Sequence, residues 1–171
     1  MKYRSIRGIA SMVLALAVVC SLGCYETALR LSPIEDAKVD RGLCGHWNLK
    51  NAAGDAKVDL TVYNLDDRTY IAEWRTDKDG SLVMVADLTM VGNAQFAHLR
   101  GLDEDGTINK SHLILRVDRD GDRLALRNLN DEFIKSLNIE TGEALRQAIE
   151  NNLDTDALYD KDGFAGERAK E

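Results

Sequence analysis

From Leu43 to Ile139 the chain is a series of short runs in which apolar and polar residues alternate, and no break between consecutive runs is long enough for a crossover. Strands that pair in parallel need a connection of a dozen or more residues, whereas antiparallel neighbours need only a hairpin. The runs are His46 to Lys50, Lys57 to Tyr63, Thr69 to Thr76, Leu82 to Val91, Gln95 to Arg100, Ser111 to Val117, Arg123 to Asn128 and Phe133 to Ile139. Between them stand clusters rich in Gly, Asn and Asp, such as Asn64-Leu-Asp-Asp67, Gly92-Asn93 and Asp118-Arg-Asp-Gly121. Alternation bounded by such residues is the pattern of half-buried strands joined by tight turns. The expected fold is therefore mainly β, an antiparallel eight-stranded meander.

Eight strands can curl into a barrel, which removes the exposed edges that invite aggregation. Its interior is expected to be lined by Tyr70, Trp74, Met84, Leu88, Leu113 and Leu115, with Val58, Leu60, Val62, Ala72, Leu82, Ala86 and Val117. Thr141 can cap a following helix from Gly142 to Leu153, where Leu145, Ala148 and Ile149 share one face that should lie on the barrel. The rest, 154–171, is expected to be a polar, mobile tail with Leu158, Tyr159 and Phe164 as its anchors.

The N-terminus carries a different signal. Lys2, Arg4 and Arg7 precede an uncharged, mostly apolar run from Ile9 to Leu22, which ends at Ser21-Leu22-Gly23-Cys24. That is the layout of a secretory signal, and the run is shorter than the roughly 20 residues that a membrane-spanning helix needs. Gly23-Cys24 resembles the cleavage box of bacterial lipoproteins, although Cys20, Ser21 and Leu22 depart from its usual residues. The resemblance implies removal of residues 1–23 and a lipid on Cys24 that binds the protein to the cell envelope. Tyr25 in place of an acidic residue implies the outer membrane or its periplasmic face, in a host that has one. Ordinary cleavage without lipid is the alternative. Cleavage leaves Cys24 and Cys44, and a disulfide between them stays open if Cys24 is not lipidated. Residues 24–42, with the only proline at Pro33, are expected to be a tether with one turn of helix around Glu35 to Val39, and 43–153 the barrel domain with its C-terminal helix.

Charge narrows the partners. The chain carries 22 basic and 29 acidic residues, and losing Lys2, Arg4 and Arg7 leaves 19 against 29, a net charge of -10. Such a protein is not expected to bind nucleic acid, nor an anionic membrane without an anchor.

Gly45-His46-Trp47 opens the first strand, and with the meander and helix after it resembles the calycin superfamily, of which lipocalins are the best known. The resemblance covers residues 43–153. It implies that Trp47 closes one barrel end, that an Arg from a late strand packs over it, with Arg127 as the counterpart, and that the barrel cups a small apolar ligand; with strands this short, a barrel largely filled by its own side chains is the equal alternative. The cadence Leu43-x-Gly45-x-Trp47-x-Leu49 is also similar to that of periplasmic protease inhibitors built on small lipocalin-like barrels. There an N-terminal arm enters the protease cleft, which would assign that role to residues 25–41, but the later Cys of those inhibitors is missing here.

Candidate chemistry is sparse. D-x-D-G recurs at Asp77, Asp103, Asp118 and Asp160. The Asp118 loop starts like a calcium-binding EF-hand but has Arg123 and Leu129 where Gly and Glu are required, so these loops are expected to be hairpin turns. One metal-ligating arrangement is conceivable. A two-residue Gly92-Asn93 turn sets Asp87 opposite His98, and a three-residue loop ending at Gly106 sets His98 opposite His112; a tighter turn would set His98 opposite Leu113 instead. Unrelated histidines are the preferred reading, and no cofactor is expected. No nucleophile, base pair or phosphate loop has a recognisable spacing, so the chain is not expected to be an enzyme. The functional expectation is an exported, lipid-anchored binding or interaction module, with an envelope protease inhibitor as the alternative.

Overall fold

A computed structural model describes residues 25–77, 80–103 and 105–170. The signal segment 1–23 and the lipidation candidate Cys24 lie outside the described residues.

The strands are β1 (Glu26–Thr27), β2 (Gly45–Asn51), β3 (Lys57–Asn64), β4 (Thr69–Thr76), β5 (Gly80–Val91), β6 (Ala94–Gly101), β7 (His112–Asp120), β8 (Arg123–Asn128) and β9 (Phe164–Arg168). From β2 to β8 each strand pairs antiparallel with the next, and β9 enters antiparallel between β2 and β8. The result is a closed eight-stranded barrel, consistent with a calycin-like barrel, and β1 is an outer addition on β7.

Alternation explains the two cores. Across β3, β4 and β5, Leu60 pairs with Trp74 and Val62 with Ala72, then Ala72 with Met84 and Tyr70 with Ala86. These side chains share the inner face because successive residues of a strand point to opposite sides. The bore holds Trp47, Leu49, Val58, Leu60, Tyr70, Met84, Leu88, Leu115, Leu124 and Leu126, all buried in one cluster. The intervening residues of β5 to β7 face outward but are also covered. Val91, Phe96 and Ile114 pack there with Leu145 and Ile149 of a helix, α2 (Gly142–Asn151). Thr141 starts that helix by accepting from the Ala144 N–H at 3.2 Å, which satisfies one of the donors that a helix start leaves unpaired.

Three expectations are corrected. The run from Phe133 to Ile139 is not a strand: residues Asp131–Ser136 form a short helix, α1. Asn130 accepts from the Phe133 N–H at 3.1 Å, and Asp131 pairs with Lys135 one turn on at 2.7 Å. Cap, acidic first turn and i,i+4 pair all favour helix here over the weak alternation. The segment 154–171 is not a mobile tail, because Phe164–Arg168 is the eighth barrel strand. Its one large apolar residue and its Gly166 disguise it, yet Gly is what the slot requires: a Cβ at Gly166 would collide with the Asn48 carbonyl oxygen.

Nor is 24–42 a tether over its described part. Tyr25, Leu31 and Ala37 are buried, and two 3-10 turns, Ile34–Asp36 and Arg41–Leu43, follow. The segment is a strap that crosses the outer face of β5 to β7 and then closes the barrel end beside Trp47.

Candidate functional site

Three places gather the residues that the sequence singled out. At the first barrel end, Trp47 is 1% exposed and its indole N–H donates to the Leu43 carbonyl at 2.9 Å. A guanidinium does lie over the ring, but it belongs to Arg168, 4.2 Å from the ring centroid. Arg127 is elsewhere: it stacks on Tyr159 at 4.3 Å and pairs with Asp118 at 3.1 Å. The reason is parity. Leu124 and Leu126 point into the bore, so Arg127 points out. Arg168 reaches Trp47 because β9 pairs it directly opposite. Its nitrogens also donate to the Gly42 carbonyl at 2.6 Å, the Cys44 carbonyl at 2.8 Å and Asp122 at 3.0 Å. Gly45 is needed there because its φ of 126 lies in a region that residues with a Cβ rarely adopt, and it leaves room for the Arg168 guanidinium.

Tyr70 completes this closure from inside. Its hydroxyl accepts from the Asp40 N–H at 2.5 Å and donates to the Asp40 carbonyl at 3.2 Å. Burial pushes the phenol up to about 12, so it stays protonated and available to donate. Arg119 holds the Asp40 carboxylate at 3.2 Å. Cys44 is a free, half-buried thiol packed against the bore cluster.

Four large apolar side chains line the opposite barrel end. Trp74, Leu82, Leu113 and Phe164 are only partly buried, and the rings of Trp74 and Phe164 meet edge to face with centroids 4.9 Å apart. Between the ends, Tyr70, Met84, Leu88 and Leu115 fill the bore with their own side chains. Concavities occur on the outside: one of about 810 Å³ between the strap, α2 and the ends of β5 and β6, and one of about 680 Å³ beside Tyr159 and Asp160.

The third place is the outer face beneath the strap. Asp87 pairs with His98 across β5 and β6, at the register a two-residue turn at Gly92 sets. His98 is opposite Ile114, however, and so faces neither His112 nor Leu113. The hairpin beyond does begin with the expected three-residue register, since Leu102 bridges Ile108. Two additional residues before His112 then shift the pairing, to Leu99 with Leu113. An even slip preserves the face, so His112 lies diagonally from His98 with ring centroids 5.7 Å apart.

These groups form a hydrogen-bonded latch. Asp87 Oδ2 accepts from Arg30 at 2.5 Å and from His98 Nδ1 at 3.0 Å. His98 Nε2 accepts from the Leu31 N–H at 3.1 Å. Both ring nitrogens are therefore committed, and the pattern assigns the neutral tautomer with its proton on Nδ1. Burial would raise the Asp87 carboxyl, but the bonds from His98 and Arg30 hold it below its ordinary value. Burial first, and then the charge of Arg30, push His112 down to about 4. Among the described residues no three His, Cys, Asp or Glu side chains gather around a metal-sized point.

The D-x-D-G loops at Asp103 and Asp118 are hairpin turns, with Gly106 and Gly121 at positive φ, and Gly80 after Asp77 is also at positive φ. The one at Asp160 instead leads into β9. There burial and then Asp162, Asp131 and Glu132 raise the Asp160 carboxyl. Arg30, Arg168 and Asp40 were missed by sequence reasoning, because each works through a neighbour far away in the chain and none sits in a motif.

No protein-family model, curated protein or solved structure matches this chain.

Proposed function

We propose that this protein is a non-enzymatic binding and interaction module of the cell envelope, exported by residues 1–23 and held to the membrane by a lipid on Cys24. What supports export and anchoring is the N-terminal sequence: three cations, an apolar run of 14 residues and a Gly-Cys pair directly before the folded body. The observation that carries the binding reading is the asymmetry of the barrel. One end is closed by Trp47, Arg168 and Tyr70 against the strap, while the other leaves Trp74, Leu82, Leu113 and Phe164 half-buried. The bore being filled, a small apolar molecule would be taken at that second rim, against the Trp74 and Phe164 rings, and not inside.

Two tryptophans in unlike settings make this measurable. A lipophilic probe that binds at the rim should change the emission of Trp74, and Trp74→Phe should abolish the change while Trp47 still reports an intact fold. No Trp74-dependent response to a panel of fatty-acid-like and aromatic probes would remove the ligand and leave an interaction role. Intact mass of the protein from envelope fractions tests the anchor: an unlipidated chain beginning at Cys24 or nearby would refute it. The inhibitor alternative requires a free arm, and here residues 25–44 are docked against the barrel by Arg30, Leu31, Tyr70 and Arg168.

A further inference from the structure

We propose that residues 25–33 are an acid-released strap: protonation of His98 turns the acceptor that holds Leu31 into a second donor, and the strap leaves the outer face of the sheet. The geometry of the bond carries this. His98 is fully buried, and its Nε2 receives the Leu31 N–H at 3.1 Å while Nδ1 serves Asp87 at 3.0 Å. An imidazolium has two N–H donors and no acceptor. With Nδ1 still bonded to Asp87, the new proton would point at the Leu31 N–H, with no solvent present to take either donor.

The surroundings decide whether that charge can be absorbed elsewhere. Asp87 of β5 favours an imidazolium, but its Oδ2 is already shared between His98 and Arg30 of the strap. Arg30 and Arg100 of β6 disfavour a further cation in this patch, as they do at the neighbouring His112 of β7. From α2, Arg146 donates to the Leu31 carbonyl at 3.4 Å, so it adds positive charge on the strap's other side. The patch is also short of partners. Thr69 Oγ1, Asp87 Oδ1, Arg100 Nε and His112 Nδ1 are buried there without a hydrogen bond.

Release should stop at about Pro33. Beyond it the chain is held by bonds in which His98 takes no part: the Tyr70 hydroxyl on Asp40, Arg119 on the Asp40 carboxylate, and Arg168 on the Gly42 and Cys44 carbonyls. The barrel and its closed end thus stay intact while the strap opens.

Hydrogen exchange of the full chain, compared at about pH 7.5 and about pH 4.5 after correction for intrinsic rates, tests this. The expected result is that amides in 25–33 exchange about tenfold faster or more in acid, while β2 to β4 keep their protection. His98→Gln places an amide oxygen near the Nε2 position, so it should hold Leu31 at both pH values. An equally protected wild-type strap in acid, equal acid release in His98→Gln, or loss of protection by strap and barrel together would each overturn the proposal. Should His98→Gln fail to fold, the imidazole nitrogen resonances of the wild type decide. They should show the Nδ1–H tautomer at neutral pH and its protonation in step with strap release. An Nε2–H tautomer, or release with His98 still neutral, would overturn it.

Discussion

Arg168 lies with its guanidinium 4.2 Å from the Trp47 ring centroid and at the same time donates to the carbonyls of Gly42 and Cys44. One side chain from the last strand therefore joins the first strand of the barrel to the turn that closes its end. Replacing Arg168 with Met keeps much of the stem but removes the stacking and three hydrogen bonds. The expected loss is about 2 to 3 kcal/mol, measured by urea unfolding, with a changed near-ultraviolet signal from Trp47. Arg127→Met should leave that signal unchanged.

Gly166 tests the closing strand. Any side chain there meets the Asn48 carbonyl, so Gly166→Val should push β9 out of its slot and cost about 3 kcal/mol or more. Ala165→Val, at an exposed position of the same strand, should cost less than about 0.5 kcal/mol. Equal destabilisation by the two in thermal unfolding would mean that β9 does not pack as described.

The outer core predicts a similar contrast on the helices. Ile149 is wholly buried between α2 and the sheet, and Ile149→Ala should cost about 2 to 4 kcal/mol. Leu137 is 41% exposed, and Leu137→Ala should stay within about 0.5 kcal/mol in the same denaturant titration.

Stability should fall in mild acid with a sign that His112 fixes. Folded, this imidazole is held neutral down to about 4, against an ordinary value of 6.5. In that window the unfolded chain binds a proton that the folded chain refuses, so unfolding gains as pH drops from about 6.5 to about 4. The contribution is fully present above about 6.5. Asp87, lowered by His98 and Arg30 against the effect of burial, adds a further loss in the same direction at still lower pH. Denaturant unfolding across pH should show the slope in the wild type, and His112→Phe should flatten its upper part.

Most of the barrel was legible because alternation and short turns leave one topology for strands β2 to β8. Most of what escaped detection had its cause in distant partners. Phe164-Ala-Gly-Glu-Arg168 carries almost no hydrophobic alternation, and only the gap between β2 and β8 makes it a strand. Asn130 was a cap signal hidden by the apolar residues after it, and the Phe133 run became α1. The outer-face row was legible in parity but not in register: Asp87 and His98 pair as the Gly92 turn dictates, whereas two additional residues before His112 set the last member diagonally. Arg168 in place of Arg127 follows from the same missed strand. Arg30, which binds Asp87, stood in a stretch with no pattern at all.

The placement of β9 also orders events in time. A chain emerging from its N-terminus offers β2 through β8 in sequence, but the seam between β2 and β8 is filled only when Phe164–Arg168 arrives, after α1 and α2 have passed. Until then two bare strand edges face each other, open to pairing with any other nascent sheet. Closing the barrel must therefore wait for the C-terminal strand, and a nick between Asn128 and Phe164 would leave a two-piece molecule in which the C-terminal peptide completes the sheet of its partner.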